Sequence, residues 1–266
     1  MNQRVLTSAL AAAALSVGLA GCAQDTETTT TESGVELIDE TKLTTCTHLP
    51  YKPFQFTEGD EVVGFDVDLI DLVAEEIGVE QEIFDTPFEG IQSGQSLNTG
   101  KCDVAAAGMT ITDERARVID FSDPYFDASQ ALLVKKDSGL ESLDDLSGKK
   151  LGVQDGTTGK IYAEENAGDD VELVPFEDLA LLSAAVKTGQ VDAGINDNGV
   201  LYDYVQQNPD MAVTTEFDTG EQYGFAVQKD SNDELLETIN QVLEDAREDG
   251  RYDEIYEKWF GESPSS

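Results

Sequence analysis

The scarce cations of this chain are the first place to look for chemistry. Only 16 Lys and Arg stand against 55 Asp and Glu, a formal net charge of −39. Arg115 closes the run Gly108-Met109-Thr110-Ile111-Thr112-Asp113-Glu114-Arg115. A planar guanidinium can hold both oxygens of a carboxylate, a match that a lysine ammonium lacks. The competing reading is a surface ion pair with Asp113 or Glu114. Thr157 and Thr158 follow Gly156 where a helical pattern opens, and free amides at a helix N-terminus attract carboxylates. Simple N-capping is the alternative there, and the two are compatible. His48 is the only histidine, so with few cysteines no ordinary zinc site can be built. Asp144-Asp145 and Asp169-Asp170 lack the spacing and glycine of a calcium loop. No P-loop or nucleophile elbow occurs, and neither a metal nor a cofactor nor a catalytic residue is assigned.

The elements that must position these residues alternate. Strands are expected at 42–47, 80–84, 103–108, 132–135, 150–153, 171–174 and 193–195, with helices at 66–77, 88–98, 158–166 and 178–188. In the first helix Ile70, Val73, Ala74 and Ile77 recur at helical spacing and Gly78 closes it. Near the C-terminus, Leu235, Ile239, Val242, Leu243 and Ala246 form one helical face, and Tyr252, Ile255, Tyr256 and Trp259 form another. That aromatic stripe reads as core or lobe-docking surface. The alternation implies an α/β protein with parallel sheets. With 39% hydrophobic and 8% aromatic residues, the chain can build real cores.

The N-terminus reads as an export signal. Arg4 precedes a mostly apolar stretch at 5–18, too short for a membrane span and followed at once by small residues. Leu19-Ala20-Gly21-Cys22 looks like the lipobox of bacterial lipoproteins. That likeness implies cleavage after residue 21, a lipid on Cys22 and a chain held at the cell membrane from outside the cytoplasm; a secreted protein with a chance cysteine is the alternative. Residues 22–34, without a large apolar side chain, are expected to form a disordered tether. In an oxidising compartment, Cys46 and Cys102 are candidates for a disulfide, against two buried free thiols, since neighbouring parallel strands could hold them too far apart. The acidic field disfavours nucleic acid and anionic lipid as partners, and suits a solvated surface in a salty medium.

Several blocks then carry a family resemblance: Tyr51-x-Pro53-Phe54 with Val63-Gly-Phe-Asp66-Val-Asp-Leu69, Gly108-Met-Thr110-Ile-Thr112-x-x-Arg115, Asp120-Phe-Ser-Asp-Pro-Tyr125, Gln222-Tyr223-Gly224, and Tyr252-x-x-Ile-Tyr256-x-x-Trp259-Phe-Gly261. Together they resemble the polar amino-acid-binding proteins of ABC importers, solute-binding family 3, over residues 35–261. The resemblance implies a two-lobed, periplasmic-binding-protein-like fold in which each lobe is a mainly parallel sheet flanked by helices. Lobe one would be 35–125 plus 225–262 and lobe two 130–219, joined by hinge strands near 125–129 and 219–223. It implies a monomer that takes a free L-amino acid in the cleft and delivers it to importer permease subunits.

A free amino acid carries a carboxylate and an ammonium in fixed relation. The resemblance gives Arg115 to the carboxylate, flanked by Gly108 and Thr110, with Thr157 or Thr158 helping. Asp197, in the other lobe, goes to the ammonium. Tyr51 and Phe88 match positions that sandwich the ligand's stem, and His48, Gln154 and Asn196 match positions near its side chain. His48 in place of an acid argues against a cationic ligand, and Gln154 in place of a lysine against an anionic one, which leaves a polar neutral amino acid such as glutamine. The rival is a cyclohexadienyl (prephenate or arogenate) dehydratase on the same scaffold, with His48 or Glu89 as general acid; no second catalytic partner is evident for it.

Overall fold

The computed structural model describes residues 28–261; the signal segment, the lipobox with Cys22 and the first part of the tether lie outside the described residues. Order begins earlier than position 35. Thr29–Thr30 (β1) pairs antiparallel with Glu36–Leu37 (β2), and the Thr31 hydroxyl donates to the Val35 carbonyl at 2.9 Å. The tether expectation is therefore corrected for residues 28–34. Threonine suits a strand without a large apolar side chain, and Gly34, at φ 97°, makes the turn.

Lys42–Thr47 (β3) follows, then a hairpin of Phe56–Glu58 (β4) and Glu61–Val63 (β5). Phe65–Ile77 (α1) buries Leu69, Ile70, Val73, Ala74 and Ile77 and ends at Gly78, whose left-handed backbone lets its amide reach the Ala74 carbonyl. Glu80–Asp85 (β6) comes next. The helix expected over 88–98 is broken into Phe88–Gln92 (α2) and Gln95–Asn98 (α3), because Gly94 adopts φ 73° between them. Val104–Ala105 (β7) is shorter than expected, and Ile119–Phe121 (β8) closes this part.

The chain then crosses over. Phe126–Lys135 (β9), Lys150–Gln154 (β10), Thr158–Asn166 (α4), Glu172–Phe176 (β11), Leu179–Thr188 (α5) and Ala193–Asp197 (β12) build the second sheet with Asn198–Gln207 (α6) and Met211–Tyr223 (β13). It returns as Ala226–Gln228 (β14), Asp233–Asp249 (α7) and Arg251–Phe260 (α8). The sheet orders are β6-β3-β7-β14-β8 and β11-β10-β12-β9-β13. Both are mixed and not mainly parallel. β3 pairs parallel with β6 and β7, and β10 with β11 and β12, whereas β9, β13, β14 and β8 join antiparallel. A chain that leaves one lobe and re-enters it brings its returning strands back in the opposite sense. Residues 126–128 of β9 and 221–223 of β13 pair as the two-stranded link between the sheets.

The first lobe's core is closed by α7, which buries Leu235, Ile239, Val242, Leu243 and Ala246 and packs on α1. The aromatic stripe of α8 does face an apolar junction: Tyr252, Tyr256 and Phe260 surround Phe65, and Phe260 also meets Phe54 and Phe126. Trp259 packs on Phe56 and donates its indole N–H to Asp68. Among the described residues no helix is long and apolar enough to cross a membrane.

Cys46, within β3, is disulfide-bonded to Cys102, with the Cα atoms 5.7 Å apart. The strand-spacing objection does not arise, because Cys102 lies in the turn before β7. The bridge closes a loop with a sequence separation of 56, which should contribute about 4 kcal/mol in the chain-entropy picture. Intact-mass analysis after alkylation should find both thiols blocked without reductant, and the reduced protein should unfold at lower denaturant. Two alkylated cysteines in untreated protein would refute the pairing.

Candidate functional site

The cleft lies where the carboxyl ends of strands from both sheets face one another, the usual position for ligands in open α/β sheets. His48 follows β3, Gly108 and Thr110 follow β7, Thr157 and Thr158 follow β10, and Asp197 ends β12. These residues, with Tyr51, Gln55, Phe88, Arg115 and Gln154, line a single cavity. The lobes are drawn together over it. Its free volume is about 20 Å³, room for roughly one water molecule, so a larger guest must enter with the lobes apart.

Arg115 is 5% exposed and stands in a turn of 3-10 helix, Arg115–Arg117. One Nη donates to the Thr110 carbonyl at 2.7 Å and the other crosses the cleft to the Gly156 carbonyl at 2.9 Å. Its guanidinium also lies over the Phe88 ring, 5.3 Å from the centroid. Neither Asp113 nor Glu114 pairs with it. Among the described ion pairs none involves Arg115. Burial lowers its pKa, while the charges of Asp197 and Glu221 act in the opposite sense. A buried cation with no anion in contact is costly, and two carbonyls leave N–H donors in hand.

Asp197 is 5% exposed. Although it occupies the N-cap of α6, its side chain makes no capping bond and turns into the cleft. One carboxylate oxygen accepts from the hydroxyls of Tyr51, at 2.7 Å, and Tyr223; the other accepts from the Gln130 amide. Burial pushes its pKa up to about 6, with the charge of Glu221 adding to the rise and the three donors opposing it. Site polarity is thus set by two opposite charges, both desolvated and not in contact with one another.

Backbone geometry holds the rest. Gly108 takes φ 54°, and a Cβ there would lie 2.9 Å from the Tyr51 ring, so only glycine lets the ring pack on this strand end. Its amide donates to Asp66 at 2.8 Å. Asp66 is fully buried, also accepts from Tyr125, and is pushed up to about 7 by burial. Thr157 does cap α4: its hydroxyl oxygen accepts from the Lys160 amide and its hydrogen goes to the Gln154 carbonyl. The Thr158 hydroxyl instead donates to Glu221 at 2.8 Å. His48 Nδ1 lies 3.1 Å from the Thr86 carbonyl, which assigns the hydrogen to Nδ1 and leaves Nε2 an acceptor. That Nε2 is buried without a partner, as is Oε1 of Gln55.

One expectation is corrected. Asn196 does not line the cavity. Its side chain is taken up behind the wall: Oδ1 accepts from the Asp197 N–H and lies 2.8 Å from the Tyr51 hydroxyl oxygen, whose hydrogen goes to Asp197, and the amide nitrogen donates to Gln154. Sequence reasoning missed Gln55, Gln130, Asp66 and Glu221. Gln55 reaches the cavity because its carbonyl accepts from the Tyr51 amide across a tight turn. Nothing in residue type or spacing marks that turn apart from its two prolines. Glu89 lies at the cleft mouth with Asp85, Asp155, Glu177 and Asp178, where its carboxylate accepts from the Gln92 amide at 2.9 Å. Among the described residues no cluster of three or more His, Cys, Asp or Glu could hold a metal.

Two α/β lobes closing on a polar cavity define a protein that encloses a small solute. The chain belongs to the bacterial extracellular solute-binding proteins, family 3, whose model matches residues 43–262. It is 39% identical over 210 residues to the ABC transporter glutamine-binding protein of Bacillus subtilis, covering 77% of this chain and 75% of that one. Solved structures of an ancestral arginine-binding protein, bound to arginine and to glutamine, both superpose with a TM-score of 0.77 at 45% and 44% identity, covering 82% and 83% of this chain and 98% of that one. An ancestral amino-acid-binding protein, a precursor of cyclohexadienyl dehydratase, gives 0.75 at 39% identity, covering 82% of this chain and 95% of that one. The near relatives are transport proteins, so the solute-binding reading holds over the dehydratase alternative, and the chain works outside the cytoplasm.

Closure also rests on an apolar contact. Gly199, near the start of α6, would place a Cβ 3.3 Å from the ring of Phe54 in the other lobe. Gly199→Val adds two methyl groups to that already tight approach and should prop the lobes apart. Small-angle scattering with saturating ligand should then give a larger radius of gyration than the parent; equal radii would mean that Phe54 yields.

Proposed function

We propose that the solute is a free amino acid with a neutral, hydrogen-bonding side chain, glutamine being the best fit. The protein serves as the amino-acid-binding component of an ABC transporter. The observation that carries this reading is Arg115, a buried guanidinium with N–H donors to spare and no carboxylate against it. It would take the α-carboxylate, with the amides of Thr110 and Thr158 beside it, while Asp197 and the Gly108 carbonyl take the ammonium. Tyr51 and Phe88 would flank the aliphatic stem. The two unpartnered acceptors, His48 Nε2 and Gln55 Oε1, would receive the two N–H groups of a carboxamide, with Gln154 near them. A side-chain carboxylate would bring only acceptors to those acceptors. Relatives that carry glutamine, as the Bacillus subtilis protein and the ancestral complex do by name, support the choice. We further assign the lipid anchor to Cys22 and place the chain as a monomer that docks on importer permease subunits.

Isothermal titration with the twenty amino acids tests the reading: L-glutamine should bind most tightly, and no heat from any of them would overturn it. Arg115→Ala should weaken binding by roughly a hundredfold or more, the size of a lost charge-assisted pair, and unchanged affinity would remove Arg115 from the site.

The pH dependence follows from Asp197. Its folded-state pKa, about 6, lies above the ordinary 3.8. Its protonated form therefore favours the fold, and that contribution is lost as pH rises through about 6, where the carboxylate becomes available to an ammonium. Affinity should be flat above pH 7 and fall about tenfold by pH 5, with proton release on binding in between. Asp197→Asn should bind weakly with no such step; a step that persists in this variant would assign the titration elsewhere.

A further inference from the structure

The second hinge strand carries an acid that no expectation used. β13 loses register with β9 between Phe217 and Glu221, and Gly220 within the break adopts φ 63°. The irregularity turns the half-buried Glu221 toward the cleft. One of its oxygens accepts from the hydroxyl of Thr110 at 2.9 Å, from the hydroxyl of Thr158 at 2.8 Å and from the Gln130 amide at 3.1 Å. Thr110 belongs to one lobe and Thr158 to the other, and both line the cavity; Glu221 does not. The same Gln130 nitrogen also serves Asp197. Among the described ion pairs none involves Glu221.

A hydroxyl has one hydrogen. With the hydrogens of Thr110 and Thr158 both directed at Glu221, only lone pairs are left for the cavity. Those two oxygens can then accept from a guest but cannot donate to it. We infer that Glu221 is a positioning residue that fixes the polarity of the site, turning the hydroxyls of Thr110 and Thr158 into acceptors for the ligand's ammonium and leaving its carboxylate to Arg115 and backbone amides. It thereby sets discrimination between an α-amino acid and the 2-hydroxy acid of the same skeleton, whose hydroxyl brings one donor in place of three. This rests on the amino-acid reading above.

The test is titration of the full chain and of Glu221→Ala with L-glutamine and with its 2-hydroxy analogue. The parent should prefer the amino acid strongly. In Glu221→Ala the hydroxyls can rotate, and the preference should shrink by about tenfold, mostly through weaker L-glutamine binding. Glu221→Gln keeps an acceptor oxygen and should recover part of the preference, which also guards against an alanine variant that folds poorly. Equal losses for both ligands in the two variants, or no loss at all, would overturn the role of Glu221 while leaving the amino-acid reading intact. No binding of L-glutamine by the parent, with the 2-hydroxy acid bound, would overturn both.

Discussion

The arrangement of this protein depends on keeping two opposite charges buried and apart. Arg115 and Asp197 come from different lobes, and each is satisfied by neutral groups: carbonyls for the guanidinium, hydroxyls and an amide for the carboxylate. Direct contact between them would cancel the field in the cleft and remove its reason to admit a zwitterion. Separation leaves both charges under-compensated in a region of low dielectric, where a guest of matching polarity is worth most. The hydrogen bonds from Arg115 to Gly156 and from Tyr51 to Asp197 already span the lobes, so the closed shape is supported by the protein's own groups. A ligand adds the counter-charges and moves the balance between open and closed.

Much of this was legible in the sequence because it rests on residue type and period. The faces of α1 and α7 follow from helical spacing of apolar residues. Arg115 stood out by its chemistry in a chain so poor in cations, Thr158 by opening a helical pattern, Tyr51, Gly108 and Thr110 by their places in ordered blocks, and Phe88 and Asp197 by their match to the family. Their shared cavity could not be read from spacing, since they arrive from five strand ends in two sheets. The part of β13 before the hinge was hidden for a physical reason: Thr214-Thr-Glu-Phe-Asp218 is polar and reads as coil until paired with β9. The bulge that turns Glu221 inward has no signature beyond Gly220. Asn196 was misplaced because adjacent residues on a strand end can differ in which wall they serve.

The acidity has a different origin from the site. The described ion pairs, such as Lys42–Glu82 and Lys150–Glu172, join partly exposed side chains, whose net contribution is small. Most carboxylates cannot find a cation in a chain with 16 Lys and Arg, so the surface repels itself and depends on mobile counterions. The cleft is insulated from that field by burial, which is why a strongly anionic protein can still hold a carboxylate-bearing guest.

The order in which the strands enter the two sheets has a temporal side. Residues 126–223 build the second sheet without interruption, whereas the first sheet needs β14 and its core needs α7, which arrive last. A chain emerging N-terminus first can complete the second lobe while the first is still open, since contiguous segments fold as units. Arg115 is made before the midpoint of the chain, yet it has no settled surroundings until the final helices cover the sheet beneath it. Half of the recognition surface is therefore present early and inert, and the last forty residues convert it into a receptor in one step.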